Sequence, residues 1–494
     1  MAARKIVIVG AGAAGVFTAY RVQQMYGDQY DIVIMEASDR VGGNTSSSTV
    51  NYGGNAYNID TGAQFFYKNP QPNYNFLLQQ LGFEEPLPQG VVYSVPAGFT
   101  VWDKPSNARR FWMPSFVSGF GKYSLADWDR IVEFGLFLGY SAFLDGDGAD
   151  DWGLSVEDWL GSMTLVSDDF KENVIKPFLY QFVSLPLPRI GEASAKYAIT
   201  YLARNLSDPS PSNIAGLAGA PQPVFVTYQS TIGLDGILKR VLELSKATLQ
   251  LSTPVQCIAR QGSKPVVIAK TGAIVECSDV VLACDPHTAA DMLTAGGTCD
   301  PQLIQVLLKM EYAPLPIMMQ KDGACWMPGD QNYWEPINTL VDGTGVTFSA
   351  WFGPMRSTYD GGKQIPVFKS WGAPAVANCP QQWQMVPHNV MMPTTTFVGL
   401  RDQLQCWQGR EGVFFAGGWT QWFDSQEAAL NSATAVAEML PGLRAALAVP
   451  RTITISPDQY RYNLVQWLAM IARYAPPSHQ VKLATALENV AFNG

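Results

Sequence analysis

The sequence predicts an α/β fold with two domains: a doubly wound nucleotide domain built from discontinuous segments, and a mixed α+β domain inserted between those segments. A strand, a glycine-rich turn, a helix and a second strand follow one another within the first 36 residues. Strand patterns return at residues 249–284 and again at residues 412–418. The stretches between these segments are rich in aromatic residues and are broken by Pro and Gly, which indicates a separate domain.

The composition excludes several classes of protein. A chain of 494 residues with 47% hydrophobic and 15% charged residues is globular and can bury a large core. A net charge of -9, without any long run of Lys or Arg, argues against nucleic-acid and anionic-membrane partners. Seven Cys without CxxC spacing and three distant His predict neither a metal site nor a disulfide framework. Prolines interrupt the longest charge-free stretch, so we expect no transmembrane segment and a reducing, cytoplasmic location.

The first 36 residues predict one βαβ unit. Residues 5–9 (KIVIV) form the first predicted strand, and residues 31–35 (DIVIM) form the second. The turn GAGAAG at residues 10–15 lies between the first strand and a helical pattern. A GxGxxG sequence is weak evidence alone, but this strand–turn–helix setting indicates dinucleotide binding.

Each position of the glycine motif has a predicted role. Gly10 permits the tight turn, Gly12 lets the backbone approach a pyrophosphate, and Gly15 lets the helix and strand pack closely. The N-terminus of the helix then offers free N–H groups to the phosphates. Glu36 ends the second strand and would accept hydrogen bonds from ribose hydroxyls. A tight turn without any ligand is the alternative.

The loop after Glu36 distinguishes between dinucleotides. Its sequence, ASDRVGGNT, contains an xxRxGG segment, which is expected where the loop wraps a dinucleotide longer than NAD. Gly42 and Gly43 would let the backbone pass close to a pyrophosphate or a ribityl chain. On its own, the glycine pair could equally form an ordinary turn.

Taken together, these residues resemble the flavin-containing amine oxidase superfamily, which includes monoamine and polyamine oxidases, protoporphyrinogen oxidase and phytoene desaturases. Within it, the chain looks closest to bacterial amine-oxidase-like flavoproteins and to polyenoic fatty acid isomerase. Five segments carry the resemblance: ASDRVGGNT (37–45), DTGAQF (60–65), Val255, VVLACDP (280–286), and FFAGG (414–418) with QEAALNSA (426–433).

The resemblance implies a two-domain FAD-binding fold with FAD as cofactor. The family's DxGAxxF segment passes beside the isoalloxazine, and the helix that begins near Gln426 would direct N–H groups at the flavin N1/C2=O edge. The residues expected to bind FAD are Gly10, Gly12, Ala14, Gly15, Glu36, Ala37, Gly42, Gly43, Asn44, Gly62, Ala63, Gln64, Phe65, Val255, Gly417, Gly418, Gln426 and Ala428.

Four positions depart from the amine-oxidase pattern. Asn44 replaces an arginine, and Gly418 stands where many members have an acid near the ribityl chain. Asp291 occupies the place of a lysine held near flavin N5, and Ser425 that of a tyrosine of the aromatic cage. These losses weaken the case for amine oxidation itself.

The substrate pocket is less well determined, and no catalytic residue is assigned. For Cys379 and Cys406, burial as small apolar residues is favoured over a covalent flavin link. For His287, a capping or surface role is favoured over catalysis. Candidate pocket residues, each of which could instead be core, are Gln64, Tyr228, Trp371, Trp419, Trp422 and Phe423.

The predicted domains follow the alternation of segments. The FAD domain comprises residues 1–82, 235–310 and 400–445, and the substrate domain comprises residues 83–234 and 311–399. Residues 446–494 form tail helices, with Leu464, Leu468 and Ile471 on one face. That face suits intramolecular packing, which is favoured, or a subunit contact.

Three functions remain open. The first is an FAD-dependent oxidoreductase that transfers a hydride from a C–H bond of an apolar or amine-type small molecule to flavin N5. The second is a redox-neutral isomerase of an unsaturated lipid or polyene. The third is a flavin-binding partner subunit without turnover.

Overall fold

The computed structural model describes residues 3–85, 87, 89–146, 152–205, 223–297, 300–321, 325–343, 345–357, 364–372, 382–421, 424–442 and 457–492. The strands are β1 (Arg4–Val9), β2 (Tyr30–Met35), β3 (Ser47–Tyr52), β4 (Asn55–Asp60), β5 (Val92–Ala97), β6 (Phe99–Asp103), β7 (Ala108–Met113), β8 (Phe225–Ser230), β9 (Thr248–Gln250), β10 (Val255–Gln261), β11 (Lys264–Ala269), β12 (Ile274–Glu276), β13 (Asp279–Leu282), β14 (Tyr312–Pro314), β15 (Ile317–Lys321), β16 (Ile337–Asp342), β17 (Gly345–Trp351), β18 (Val367–Gly372), β19 (Gln382–Val386), β20 (Asn389–Met391) and β21 (Val413–Phe415).

The α-helices of the described residues are α1 (Ala13–Tyr26), α2 (Pro72–Gln80), α3 (Leu125–Gly146), α4 (Val156–Ser162), α5 (Asp168–Phe170), α6 (Lys176–Val183), α7 (Ala195–Asn205), α8 (Gly233–Ser245), α9 (Pro286–Ala295), α10 (Pro301–Lys309), α11 (Phe352–Ser357), α12 (Thr395–Leu404), α13 (Gln426–Met439), α14 (Pro457–Ala472) and α15 (Pro477–Phe492). A π-helical segment, Lys171–Ile175, joins α5 to α6.

A parallel sheet of five strands, in the order β21-β13-β1-β2-β9, forms the nucleotide domain. Its central strand, β1, pairs in parallel with β2 and β13 and has four consecutive buried residues, as expected of a strand covered on both faces. Helix α1 crosses from β1 to β2 and packs against α8 and α13. The predicted α/β, doubly wound fold is therefore confirmed.

A second sheet, of seven strands, has the order β19-β15-β18-β17-β16-β6-β7. Its strands come from two distant parts of the chain, residues 99–113 and 317–386, which meet where β6 and β16 pair in parallel. No sheet of the described chain joins the two predicted groups of segments, but α8 and α12 run through the limits at residues 234 and 399, so the domain boundaries stay a prediction.

The strand-rich segment predicted at residues 249–258 divides between two sheets. Strand β9 ends at Gln250 in the parallel sheet, whereas β10 begins at Val255 in a three-stranded antiparallel sheet. Between them, Ser252 has a φ of +49°, and Pro254 lacks the N–H that a continuous ladder needs. The hydrophobic pattern alone did not reveal this break.

The tail helices pack against the rest of the chain. Leu464, Leu468 and Ile471 are each 1% exposed or less, and α14 and α15 both lie on α3. The Trp467 indole N–H donates to the Val224 carbonyl, and its ring stacks on Phe225 with centroids 5.3 Å apart. Intramolecular packing of this face is confirmed. In the described part of the chain, none of the helices combines the length and apolar character needed to cross a bilayer.

The cysteines differ from expectation in two respects. The predicted burial of Cys406 is wrong, because this residue lies in a 3₁₀ turn at the surface, where its side chain is exposed. Cys325 takes part in a disulfide bond. Since disulfides persist chiefly in oxidising compartments, the cytoplasmic location stays a prediction. Cys379 lies outside the described residues.

One buried carboxylate joins α13 to α2. The Glu427 carboxylate accepts hydrogen bonds from the backbone N–H groups of Asn73 and Tyr74, at 3.2 and 2.7 Å, and from the side-chain amides of Asn73 and Asn431. Burial raises the pKa of Glu427, while these donors oppose that rise. The glutamate thus caps the N-terminus of α2 from another helix.

We expect Glu427→Ala to lower the free energy of unfolding by about 3 kcal/mol, because the buried donors at the start of α2 lose their acceptor. Thermal and urea denaturation of the two proteins would measure the change. The exposed Glu276→Ala is the control and should stay within about 0.5 kcal/mol of the wild type. Equal effects of the two substitutions would contradict this role.

Candidate cofactor and substrate site

The turn between β1 and α1 is packed too tightly for side chains. Gly10 has a φ of +106°, and a Cβ there would lie 2.6 Å from the Ala283 carbonyl oxygen at the end of β13. A Cβ on Gly15 would lie 2.0 Å from the Gly10 oxygen. The turn and packing roles predicted for these glycines are thus seen in the backbone.

Gly12 differs from its neighbours because it borders open space. A Cβ there would meet only the Gly42 carbonyl oxygen, at 4.0 Å. Gly12 is also the N-cap of α1, which has no side-chain cap and no acidic residue in its first turn. The N-terminus of α1 therefore faces an open space with uncapped N–H groups, which suits an anion.

Glu36 holds the rim of this space. Its carboxylate accepts hydrogen bonds from the Ala11 N–H at 2.7 Å and from the Ser38 N–H at 2.8 Å. Its backbone N–H donates to Gln250, and its carbonyl accepts from Thr253. These contacts place Glu36 and the exposed Ala37 beside residues 250–253, which precede Val255 at the start of β10.

The glycine pair of the following loop lies against the first turn. The Gly42 N–H donates to the Ala11 carbonyl at 2.9 Å, and a Cβ on Gly43 would lie 3.3 Å from the Gly12 Cα. Gly42 has a φ of +123°, and a Cβ there would lie 2.0 Å from the Thr45 carbonyl oxygen. The loop can follow this path only with glycine at that position.

The segment DTGAQF adjoins the same loop. The Ala63 N–H donates to the Asn44 carbonyl at 3.1 Å, and a Cβ on Gly62 would lie 1.7 Å from that oxygen. The Asn44 side chain reaches across to the substrate domain, where its amide donates to the Asn389 carbonyl at 2.8 Å. Asn44, which replaces a family arginine, therefore makes an interdomain contact.

The N-terminus of α13 completes the group of segments. Ser425 caps this helix by accepting a hydrogen bond from the Ala428 N–H at 3.1 Å. The Gln426 amide donates to the Thr45 hydroxyl at 2.7 Å. The Gly417 N–H donates to the Ser432 hydroxyl at 3.0 Å, which fixes the glycine loop of Gly417 and Gly418 against the same helix.

Two buried oxygen atoms indicate a missing ligand. The side-chain carbonyl oxygens of Gln64 and Gln426 are buried without a hydrogen-bond partner. Each side chain is 5% exposed, so an unpaired oxygen there is costly. A ligand with N–H donors would satisfy them. With the open space beside Gly12, these atoms fit the FAD expected from the sequence.

A buried lysine that the sequence motifs did not reveal, Lys369, contacts the segment DTGAQF. Lys369 on β18 is 1% exposed, and its Nζ donates to the Gly62 carbonyl at 2.8 Å. Burial lowers the pKa of Lys369 to about 7, against the opposing charge of Asp60. Burial, together with the charge of Lys369, lowers the pKa of His388 to about 4. Asp291, at the position where the amine-oxidase lysine was expected, is exposed on α9.

A third ionisable residue that the sequence motifs did not reveal, Asp424, precedes α13. Asp424 keeps accessible surface, and desolvation by the surrounding protein raises its pKa to about 6. Its backbone N–H donates to the Tyr197 hydroxyl at 3.1 Å. Lys369, His388 and Asp424 come from three unrelated parts of the chain, so no spacing in the sequence pointed to them.

An apolar cavity of about 40 Å³ lies in the second domain. Most of its wall is carbon, contributed by Phe99, Phe178, Phe182, Leu202, Phe225 and Ile337. Its polar side chains in the described chain are Tyr67, Gln181 and Thr227. The volume is below the usual range for small-molecule pockets.

Strand β8 connects this cavity with Gln64. Phe225 and Thr227 line the cavity, and Gln229 follows on the same face because side chains alternate along a strand. The amides of Gln229 and Gln64 both contact the Met355 sulfur, at 3.4 and 3.5 Å. Packed side chains, rather than the cavity itself, therefore connect β8 to the segment expected beside the flavin.

The structure separates the six pocket candidates. Gln64 lies at the inner end of this path, and the half-buried Trp371 stacks on Phe348 near Lys369. Tyr228 faces away, against Phe66, because it alternates with Thr227. The 3%-exposed Trp419 belongs to the core. Trp422 and Phe423 lie outside the described residues.

Of the two roles predicted for His287, capping is wrong, because Asp285 caps α9 by accepting from the Thr288 N–H at 2.9 Å, whereas the half-buried His287 leaves the surface alternative a prediction. The ring of His287 packs edge-on against Tyr312 instead.

The chain resembles known proteins in sequence and in fold. Residues 13–368 match the model of a family described as flavin containing amine oxidoreductase. A putative protoporphyrinogen oxidase from Exiguobacterium is 15% identical with a TM-score of 0.56, covering 89% of this chain and 98% of that one. A CLA-producing fatty acid isomerase from P. acnes is 15% identical with a TM-score of 0.57, covering 89% and 99%. Cyclohexylamine oxidase from Brevibacterium oxydans is 15% identical with a TM-score of 0.55, covering 88% and 99%. None of the curated proteins matches the chain in sequence.

We expect Gly12→Ala to leave the fold intact but to weaken FAD binding at least about tenfold, because the new methyl group enters the open space at the N-terminus of α1. Titration of the flavin-free protein with FAD measures the affinity, and its thermal unfolding reports the fold. Gly399→Ala, where a Cβ also meets no atom within 4 Å, is the matched control. Unchanged FAD affinity in Gly12→Ala would contradict the assignment.

We expect the stability difference between wild type and Lys369→Met to depend on pH. Because burial lowers the pKa of Lys369 to about 7, the unfolded chain binds a proton that the folded chain lacks between about pH 7 and 10. The wild type therefore gains stability relative to the variant as pH rises, by up to about 1.4 kcal/mol per unit. Urea denaturation across this range measures it. The exposed Lys264→Met should show no such slope, and parallel curves for Lys369→Met would refute the prediction.

Proposed function

The chain belongs to the flavin-containing amine oxidoreductases, and on that premise we propose that it oxidises an apolar small molecule by removing a hydride from a C–H bond. Membership confirms the predicted family and its FAD cofactor. When bound, FAD supplies the hydride acceptor. The residues of the chain must bind the substrate, orient its C–H bond and exclude water from the site.

FAD would bind in a cradle formed by the β1–α1 turn, the loop of residues 42–45, the segment DTGAQF and the N-terminus of α13. The uncapped N-terminus of α1 beside Gly12 would hold the pyrophosphate, and Glu36 would accept the ribose hydroxyls. The unpaired oxygens of Gln64 and Gln426 would meet polar groups of the flavin ring. Ser425 keeps α13 aligned by capping it.

The observation that carries the proposal is the cofactor site, where the unpaired oxygens of Gln64 and Gln426 accompany the open N-terminus of α1 beside Gly12. The small apolar cavity lined by Phe225 and Thr227 of β8 indicates an aromatic surrounding that would exclude water. Among the described lining residues, only Tyr67 is titratable, and burial raises its pKa, so it stays protonated. This wall supplies no general base, which fits hydride removal better than proton abstraction.

An amine substrate is less favoured by the same wall. No carboxylate is among the described lining residues, so an ammonium group would lack a counter-charge there. Lys369, whose Nζ lies 2.8 Å from the Gly62 oxygen, would disfavour an ammonium group beside DTGAQF in its protonated form. An apolar substrate is therefore preferred over an amine-type one.

We expect the purified protein to show flavin bands at about 370 and 450 nm. After acid precipitation, the flavin should remain in the supernatant. Under anaerobic conditions, an apolar unsaturated substrate should bleach the 450 nm band. In a separate aerobic assay, oxygen uptake should accompany turnover. Putrescine and cyclohexylamine serve as amine comparisons. Product without oxidant consumption would favour the redox-neutral isomerase. A flavin that no compound bleaches would favour a partner subunit, and a colourless protein that FAD cannot reconstitute would refute the proposal.

A further inference from the structure

The backbone N–H groups of the segment DTGAQF are bound by the loop that precedes β3. The Thr61 and Gly62 N–H groups donate to the Ser46 carbonyl, at 2.8 and 3.3 Å. The Ala63 N–H donates to the Asn44 carbonyl at 3.1 Å. Three consecutive N–H groups are thus engaged on one side, and the carbonyl groups of the segment are left for other elements to bind.

Lys369 binds the carbonyl side of the same segment. Its Nζ donates to the Gly62 and Asp60 carbonyls, at 2.8 and 3.4 Å, and its side chain is 1% exposed. Lys369 lies on β18, an interior strand of the seven-stranded sheet, where it is paired with Met319 on β15 and Ala350 on β17. Because strands on both sides hold β18 in place, the sheet determines where this amine lies.

Among the described residues, two ionisable groups interact with the Lys369 amine. The charge of the Asp60 carboxylate opposes the fall that burial causes in the pKa of Lys369. This carboxylate accepts hydrogen bonds from the Ser47 hydroxyl at 2.7 Å and from the Leu234 N–H at 2.9 Å. The second group is His388, whose pKa is lowered by burial and by the charge of Lys369. Removal of the amine would leave the buried Asp60 carboxylate without this counter-charge.

The loop that precedes β3 also contacts the rest of the cofactor cradle. The Gln426 amide at the N-terminus of α13 donates to the Thr45 hydroxyl at 2.7 Å. A Cβ on Gly43 would lie 3.3 Å from the Gly12 Cα at the N-terminus of α1. A continuous series of contacts therefore joins Lys369, through DTGAQF and this loop, to both helix N-termini of the cradle. Packed backbone and hydrogen bonds of this kind can transmit a displacement from one end to the other.

We propose that Lys369 is a positioning residue for the cofactor: its amine fixes the carbonyl side of DTGAQF and thereby sets the fit of FAD in the cradle. Lys369 acts through Gly62 and need not touch FAD. A displacement of about 1 Å can lower the rate of a reaction about 100-fold, so the same contact would also align the cofactor with the substrate. The effect on FAD binding depends on the cofactor alone, whereas the effect on hydride transfer rests on the proposed function.

Titration of the flavin-free protein with FAD tests the proposal. Lys369→Met keeps an unbranched side chain but removes the amine, and it should bind FAD about tenfold more weakly than the wild type. The visible circular dichroism of the bound flavin should change as well, because the segment beside it is no longer fixed. The matched control, Ser48→Ala, removes a 3.0 Å hydrogen bond to Gln384, which lies on β19 of the same sheet. This control should bind FAD as the wild type does.

Thermal unfolding of the flavin-free proteins separates positioning from a purely structural role. A purely structural role would lower the melting temperature of Lys369→Met but leave its FAD affinity and flavin circular dichroism as in the wild type, and that result would overturn the proposal. An equal loss of FAD affinity in Ser48→Ala would overturn it too, because any contact with this sheet would then act alike. Lys369→Leu is a second apolar replacement, which should show the same loss of affinity and takes the place of Lys369→Met if that variant does not fold.

Kinetics at saturating FAD distinguish this inference from the proposed function. With a substrate that bleaches the flavin, Lys369→Met should lower kcat about tenfold and leave KM nearly unchanged. If FAD affinity falls in Lys369→Met but no compound bleaches the wild-type flavin, the positioning role stands and the oxidoreductase proposal fails. If an apolar compound bleaches the flavin and Lys369→Met equals the wild type in FAD affinity, circular dichroism and kcat, the oxidoreductase proposal stands and the positioning role fails.

Discussion

The close approach of three backbone segments is the constraint on which the rest of this structure depends. The β1–α1 turn and the loop of residues 42–45 fold back on themselves too tightly for a Cβ at Gly15 or Gly42, and DTGAQF passes that loop too closely for a Cβ at Gly62. Hydrogen bonds from Gly42 to Ala11 and from Ala63 to Asn44 join the three segments. Among the glycines of these segments, only Gly12 borders open space. The N-terminus of α1 is therefore accessible to a ligand.

Buried charge holds the surrounding elements at this centre. Glu427 and Lys369 are each 1% exposed, and both hydrogen-bond to backbone groups of another element. Glu427 accepts from the first turn of α2, whereas Lys369 donates to Gly62 from a strand of the other domain. A buried charge is costly unless its hydrogen bonds are made, so each side chain strongly favours one relative placement of the elements it joins. Lys369 therefore ties the seven-stranded sheet to DTGAQF.

Sequence reasoning succeeded where the chemistry is local. A GxGxxG turn, the strand that precedes it and an acid after the next strand lie within 36 residues, and their geometry follows from backbone sterics. It failed where side chains meet through folding. Lys369 is a single lysine in an otherwise apolar strand, and Tyr228 and Thr227 differ in role only because consecutive residues of a strand face opposite sides. For Cys406 the composition suggested burial, but a surface turn exposes it.

The sequence by itself determined the α/β class, the flavin family and the glycines of the cradle, because each depends on contacts between residues near in the chain or on motifs with narrow steric requirements. Only the tertiary structure decided that Lys369 lies behind DTGAQF, that Glu427 caps a distant helix, and that Gln181 and Thr227 share one cavity. Those contacts join residues from separate elements, and their distances arise from the packing of two sheets and the helices between them rather than from any spacing along the chain.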